Sequence, residues 1–292
     1  MARKKLGMVK NTNENYCLHS ALCPSLGLTL RVVDLLKEDK APLPEDSSCW
    51  LFFAHTENPL SEALLTGLVA ELPTETSVAL ARFKHPVRYQ EAVLGRALSE
   101  LLARLKGYHL KEELPYSPLL LRSSTNKAAT LTLAHNTYLG KSTVLASLGE
   151  LSSTRPALAV DVEAMRERAN IPELLAHSFA PEIAKRIAGA MEGASQEDRL
   201  SLFYRAWGEH ECAVKLNRGE NRFRVEPHGA AWAVVKEGKE GKEALTTHTI
   251  CFENTLFTLV GEKALFALPV LCAQMSPEVL LELLRATSRT RL

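Results

Sequence analysis

The sequence predicts an α+β fold, and three observations predict it. Two stretches, 89–106 and 199–216, carry apolar residues at helical spacing. Several short stretches, 49–54, 129–135 and 144–148, are continuously apolar or alternate as strands do. The order of helices followed by strands then recurs in the second half. That recurrence argues for two similar subdomains packed side by side. No sequence repeat accompanies it. At 292 residues, 46% of them apolar and 24% charged, the chain has the composition of a globular protein with a sizeable core.

The elements follow in order. Residues 1–46 read as an N-terminal extension ending in the punctuating stretch Ala41 to Asp46. Cys49 opens a buried strand over 49–54. Ser61 is an N-cap for a short helix over 61–72. The helix over 89–106 carries a stripe from Val93 and Leu94 to Leu101, Leu102 and Leu105, and Gly107 stops it. Two strands close a first half of residues 47–155. The second half, 156–292, opens with a strand over 158–163 that ends in acids. Helical residues 171–191 are interrupted near Pro181, and a strong helix covers 199–216. Three short strands are expected at 231–235, 248–252 and 265–271.

Bulk properties exclude several functions. A formal net charge of +1 gives no global attraction to nucleic acid or anionic lipid, and no aromatic-basic interleaving suggests a nucleic-acid surface. No run approaches the roughly 18 apolar residues of a membrane span. Six cysteines, at 17, 23, 49, 212, 251 and 272, form no C-x-x-C pair and no zinc pattern. They read as reduced thiols in a cytoplasmic compartment. The basic start M-A-R-K-K-L-G-M-V-K lacks the apolar block of a secretory signal, and an organelle-targeting segment is its alternative reading.

Two features carry candidate chemistry. In A-V-D-V-E, residues 159–163, strand alternation points Asp161 and Glu163 to the same side. Their like charges repel, and a hard, oxygen-seeking cation such as magnesium would relieve that. The alternative is a solvated strand end. In the helix over 199–216, Leu200, Phe203, Trp207 and Val214 fall within about 60° of one another. Glu211 lies beside that stripe and Lys215 one turn further on, whereas Glu209 points the opposite way, toward solvent. A carboxylate there needs a partner. It is either Lys215, in an i,i+4 salt bridge, or a metal.

D-V-E at 161–163, followed by F-Y-R-A-W-G-E-H-E-C-A-V-K at 203–215, resembles the signature of the large, single-chain 4'-phosphopantetheinyl transferases. V-L-G-R-A-L at 93–98, T-L-A-H-N at 132–136 and F-A-P-E at 179–182 are similar to further motifs of that family, in the same order. The similarity spans roughly residues 47–272. The sequence departs from the family pattern at Ala134, Ala159 and His210. A G-K-P segment is replaced by Asn126-Lys127, and Glu91 stands where many members carry a basic residue.

The resemblance implies holo-[acyl-carrier-protein] synthase activity, the transfer of 4'-phosphopantetheine from coenzyme A to a serine of an acyl or peptidyl carrier protein. It implies Asp161, Glu163 and Glu211 as magnesium ligands, Glu211 also as the base for the serine proton, and Lys215 beside the phosphates. It makes His135 a contact of the coenzyme's 3'-phosphate, where the residues alone favour a satisfied strand histidine. The basic run Arg82 to Arg88, with Arg96, is the candidate phosphate site, Arg82 first and then Arg96 and Arg88; a charged surface loop is its alternative. Lys127 or Arg122 would stand in for the missing lysine. The resemblance further implies a monomer built as a pseudo-dimer of two similar subdomains, each a small, mostly antiparallel sheet with a long helix, with coenzyme and metal in the cleft between the halves. A degenerate member that binds without turnover, or a non-enzymatic scaffold, are the rival expectations.

Overall fold

The computed structural model describes residues 22–24, 28–32, 47–56, 59–110, 119–122, 128–151, 157–217, 222–238 and 241–289. The described elements are β1 (Leu22–Pro24), β2 (Leu30–Val32), β3 (Cys49–Thr56), α1 (Glu62–Ala70), α2 (Thr74–Leu80), α3 (Pro86–Leu105), β4 (Leu119–Arg122), β5 (Ala128–Tyr138), β6 (Lys141–Leu151) and β7 (Leu158–Ala164). They continue with α4 (Ile171–Ser178), α5 (Pro181–Met191), α6 (Gln196–Leu216), β8 (Arg222–His228), β9 (Ala231–Gly238), β10 (Gly241–Ala244), β11 (Thr246–Phe252) and β12 (Thr255–Gly261). A 3-10 turn (Lys263–Phe266), β13 (Val270–Met275) and α7 (Pro277–Arg289) complete them. The fold is α+β.

A six-stranded sheet has the order β2-β13-β3-β6-β5-β4, a four-stranded sheet the order β1-β11-β12-β7, and a separate sheet the order β10-β9-β8. The pairings are antiparallel except that β13 runs parallel to both β2 and β3. The two larger sheets stack face to face. Leu51 and Phe53 of β3 and Leu145 of β6 meet Val160 and Val162 of β7 and Phe257 and Leu259 of β12 in one core. Successive β3 residues explain its apolar run. Cys49, Leu51 and Phe53 enter this inter-sheet core, whereas Trp50, Phe52 and Ala54 enter the core under α3. A strand buried on both faces loses the usual alternation. Gly149 of β6 lets the sheets approach, since a Cβ there would lie 2.8 Å from Leu158 Cδ2.

The helices form outer layers. Val93, Leu94, Ala97, Leu98, Leu101 and Leu102 of α3 are fully buried against the six-stranded sheet, as their spacing predicts. Gly107, at φ 74, ends that helix, and Ser61 caps α1 by accepting from the Leu64 N–H. Helix α6 covers the outer face of the four-stranded sheet and also packs beneath β8 and β9. At the β5–β6 hairpin both turn residues, Leu139 (φ 50) and Gly140 (φ 76), have left-handed backbones, as a two-residue hairpin turn of this hand requires.

Several expectations need correction. The strand expected at 265–271 divides: Leu265 belongs to the 3-10 turn and the strand is β13. The 1–46 segment is not wholly an extension, because β1 pairs with β11 and β2 with β13. The two larger sheets are unequal rather than alike. Chain from beyond residue 156 also returns to the first half, since β13 and α7 complete the core under α3. Strands β4, β8, β10 and β12 and helices α2 and α7 add to the elements that the sequence predicts. Among the described residues no helix is long and apolar enough to cross a membrane, and Cys49, Cys212 and Cys272 are free thiols.

One buried cation fastens the outer helices of the first half. Arg104 of α3 donates through Nε to Glu100 Oε1 (2.6 Å). Its Nη1 donates to the Leu284 carbonyl (3.0 Å) and Ser288 Oγ (2.6 Å) of α7, and its Nη2 to the Glu71 carbonyl (2.7 Å) after α1. Its side chain is 10% exposed. Arg104→Ala should cost about 3 kcal/mol in urea unfolding. Arg104→Lys should recover little of it, since an ammonium cannot fork to three elements.

Candidate functional site

Helix α6 and strand β7 bring the signature residues together. Gly208 is the contact point: a Cβ there would lie 2.2 Å from Thr258 Oγ1 and 2.8 Å from Thr258 Cβ. Thr258 of β12 pairs with Asp161 of β7. Asp161 and Glu163 share the α6 side of their strand, as alternation predicts, while Val160 and Val162 face the inter-sheet core. Lys215 Nζ donates to Asp161 Oδ1 (2.9 Å) and to the Val160 carbonyl (2.7 Å). The i,i+4 bridge to Glu211 is therefore not the partner it takes.

Glu163 is tied from three sides. Trp207 Nε1 donates to its Oε1 (3.1 Å), Asn136 Nδ2 to its Oε2 (2.9 Å), and Arg168 Nη2 stands at 3.7 Å. Burial, and then the charge of Asp161, push its carboxyl up to about 7. Arg168 and Trp207 oppose that rise, and Glu211 adds to it. Glu211 is half-buried and its carboxyl is also raised, by burial and then by Asp161, against Lys215. Lys215 is raised despite burial, chiefly by Asp161. Glu163 and Glu211 thus both feel the charge of Asp161, and Glu163 that of Glu211 as well.

The donor set suits a hard cation, being carboxylate oxygen throughout. Asp161 Oδ2 is buried and has no hydrogen-bond partner. Among the described residues, however, no three His, Cys, Asp or Glu side chains are already arranged around one point to hold a metal. Lys215 holds one Asp161 oxygen, and Trp207 and Asn136 hold those of Glu163. The residues fit magnesium in chemistry and in charge, with these contacts to be exchanged or shared.

Around the acids, His210 is half-buried between Phe179 (centroids 5.1 Å apart) and Trp207 (6.0 Å). Burial lowers its pKa, which keeps the ring uncharged at neutral pH. Two expectations for α6 fail. Val214 is 51% exposed rather than part of the buried stripe, and Glu209 is 0% exposed rather than solvated. Arg205 Nε reaches Glu209 Oε1 at 3.4 Å. Burial raises its carboxyl, against Arg205, Thr247 and Trp232.

The basic candidates separate. Arg88 and His135 meet, with Arg88 Nη1 3.3 Å from His135 Nδ1. Both lie over Glu91, which is 1% exposed. Arg88 Nη1 donates to Glu91 Oε2 (3.0 Å), His135 Nδ1 stands 3.3 Å from the same oxygen, and Thr137 Oγ1 donates to Oε1. Arg82 is exposed in the turn before α3, and Arg96 is half-buried further along that helix. Arg122 ends β4, and Lys127 lies outside the described residues.

Sequence reasoning missed the parts played by Asn136, Arg168 and Glu91. Alternation along β5 was the available signal for the first. His135 and Thr137 face Glu91 on one side of the strand, and Asn136 faces Glu163 on the other.

Burial alone would raise the Glu91 carboxyl, but the bonds and charges of His135, Thr137 and Arg88 hold it down at about 2. A carboxyl lowered on folding stabilises above its unfolded pKa and loses that stabilisation as pH falls through its folded one. Wild type should therefore exceed Glu91→Gln by on the order of 3 kcal/mol at pH 7. The gap should narrow progressively as pH drops below about 4.5 toward 2. Urea titrations of both proteins across that range measure it.

No known family model matches the chain, and no curated protein matches it.

Proposed function

We propose that the chain transfers 4'-phosphopantetheine from coenzyme A to a serine of an acyl or peptidyl carrier protein, with magnesium held by Asp161, Glu163 and Glu211. The observation that carries this reading is the charged cluster where α6 meets β7. Burial and then the charge of Asp161 raise the carboxyls of Glu163 and Glu211 beside Lys215, and one buried oxygen of Asp161 has no partner. Such a cluster is costly unless a cation joins it. The ordered motifs at 93–98, 132–136, 161–163, 179–182 and 203–215 support the same reading.

Bound there, magnesium would neutralise diphosphate charge as the phosphorus–oxygen bond breaks. The chain's own residues supply the rest. Trp207 and Asn136 fix the two oxygens of Glu163. Glu211, half-buried with its proton affinity raised, would accept the proton of the serine hydroxyl. Lys215 carries a positive charge at the same spot, able to move from Asp161 toward phosphate oxygens.

A second reading is a family-like protein that binds coenzyme A or a carrier domain without turnover. The Lys215–Asp161 ion pair (2.9 Å) favours it, as does the lack, among the described residues, of a ready three-ligand metal group.

Mass spectrometry of an apo acyl carrier protein, incubated with the chain, coenzyme A and magnesium, separates these readings. The first expects a mass gain of one phosphopantetheine, stopped by EDTA and restored by magnesium or manganese. Glu211→Gln should lower the rate on the order of 10²-fold or more, with the fold intact by circular dichroism. Glu197→Gln, exposed in the first turn of α6, is the matched control and should transfer normally. Full activity of Glu211→Gln would remove that residue from the mechanism.

A further inference from the structure

The tip of the β5–β6 hairpin has features that the fold itself does not explain. Leu139 is 81% exposed and its backbone sits at φ 50. Bulky L-residues rarely adopt that region, whereas Asn, Asp and Gly accept it readily. A leucine here is doubly unfavourable, being strained and presented to water. A polar turn residue would serve the hairpin better. A left-handed backbone held at a leucine is an outlier that points to use by something outside the chain.

The surroundings say what that is. Arg166 is exposed and stacks over Tyr138 at 4.8 Å, on the strand face that Asn136 shares. Arg88, 61% exposed, marks the opposite face, beside His135. The neighbouring acids are engaged: Glu91 is buried under Arg88, Glu163 belongs to the acid cluster, and Glu167 accepts from Gln196. An apolar knob at the tip, with exposed guanidinium groups behind it on the two faces of β5, complements an acidic surface with an apolar pocket. The strand also leads inward. Residue 139 is three positions from Asn136, which bonds Glu163, so the tip stands about 10 Å along the strand from the acid cluster.

We infer that Leu139, with Arg166 and Arg88 behind it on the two faces of β5, is the docking point for an acidic protein partner. Resting on the function proposed above, that partner is the carrier protein that presents the serine. Leu139 enters an apolar pocket on it, and the arginines meet carboxylates around that pocket.

The test uses the full chain and an acidic apo acyl carrier protein. Binding is measured by calorimetry without coenzyme A, at low and high salt, and transfer by mass spectrometry. Leu139→Asn should raise Tm by about 1–3 °C, because the turn is relieved, yet weaken carrier binding about tenfold or more. KM for coenzyme A should not change. Arg166→Glu should weaken binding and flatten its salt dependence. If both variants bind and transfer like wild type, the docking inference is overturned while the transferase reading stands. If wild type binds but never transfers, and Leu139→Asn loses that binding, docking holds and the transferase reading falls. A wild-type chain that neither binds the carrier nor modifies it overturns both.

Discussion

Helix α6 lies close enough to the four-stranded sheet to serve the acids of β7 because residue 208 has no side chain. The neighbour that a Cβ would strike is Thr258, and the 2.8 Å approach is to its Cβ, which cannot rotate away. The pairing of Thr258 with Asp161 puts this contact at the level of the acids. Lys215 reaches Asp161 and the Val160 carbonyl, and Trp207 reaches Glu163, from the same helix. All three bonds depend on one helix-to-sheet distance. Buried charges tolerate little slack, because a partner lost in a low-dielectric setting leaves the full desolvation cost behind.

Strand β5 keeps two opposite electrostatic environments apart. On one side, a carboxylate lies beneath Arg88 and His135 and stays ionised well below the usual range. On the other, Glu163 is pushed the opposite way by burial and by neighbouring acids. Consecutive residues, His135 and Asn136, contact the two carboxylates. The strand can move neither contact without disturbing the other, since neighbouring residues on a strand are covalently bound to face opposite ways. A buried carboxylate beneath the cations also halves the positive charge that Arg88 and a protonated His135 would offer to an anion.

Much of the architecture was legible where one physical rule applied at a time. The stripe of α3 faces the six-stranded sheet, so its periodicity gives that face correctly, although α1 and α7 also pack on the helix and Glu91 and Glu100, off the stripe, are buried as well. Alternation placed Asp161 and Glu163 together for the same reason. Helix α6 defeated that reasoning because it is covered on more than one side, by β7 and β12 and by β8 and β9. A helical wheel assumes one apolar face and one wet face. It therefore sent Glu209 to solvent, where the structure buries it, and put Val214 in the core, where the structure exposes it. Pairings such as Lys215 with Asp161 are 54 residues apart in sequence, and no local pattern encodes them. The sheet partners of β1 and β2 were hidden likewise, because very short strands carry too few residues to show a period.

The position of β13 has a consequence for how the molecule is made. It lies between β2 and β3 in the six-stranded sheet, although nearly the whole chain separates it from them. Leu271, Ala273 and Met275 of β13, with Leu280 and Leu284 of α7, fill the core under α3. During synthesis a ribosome delivers β3, α3, β5 and β6 long before these residues exist. The first half must wait with a gap in its sheet and an uncovered apolar layer, which is the sort of exposed edge that chaperones shield. Completion is then a late, long-range closure whose loop entropy slows it, and the six-stranded sheet reaches its full width only when the last described strand arrives.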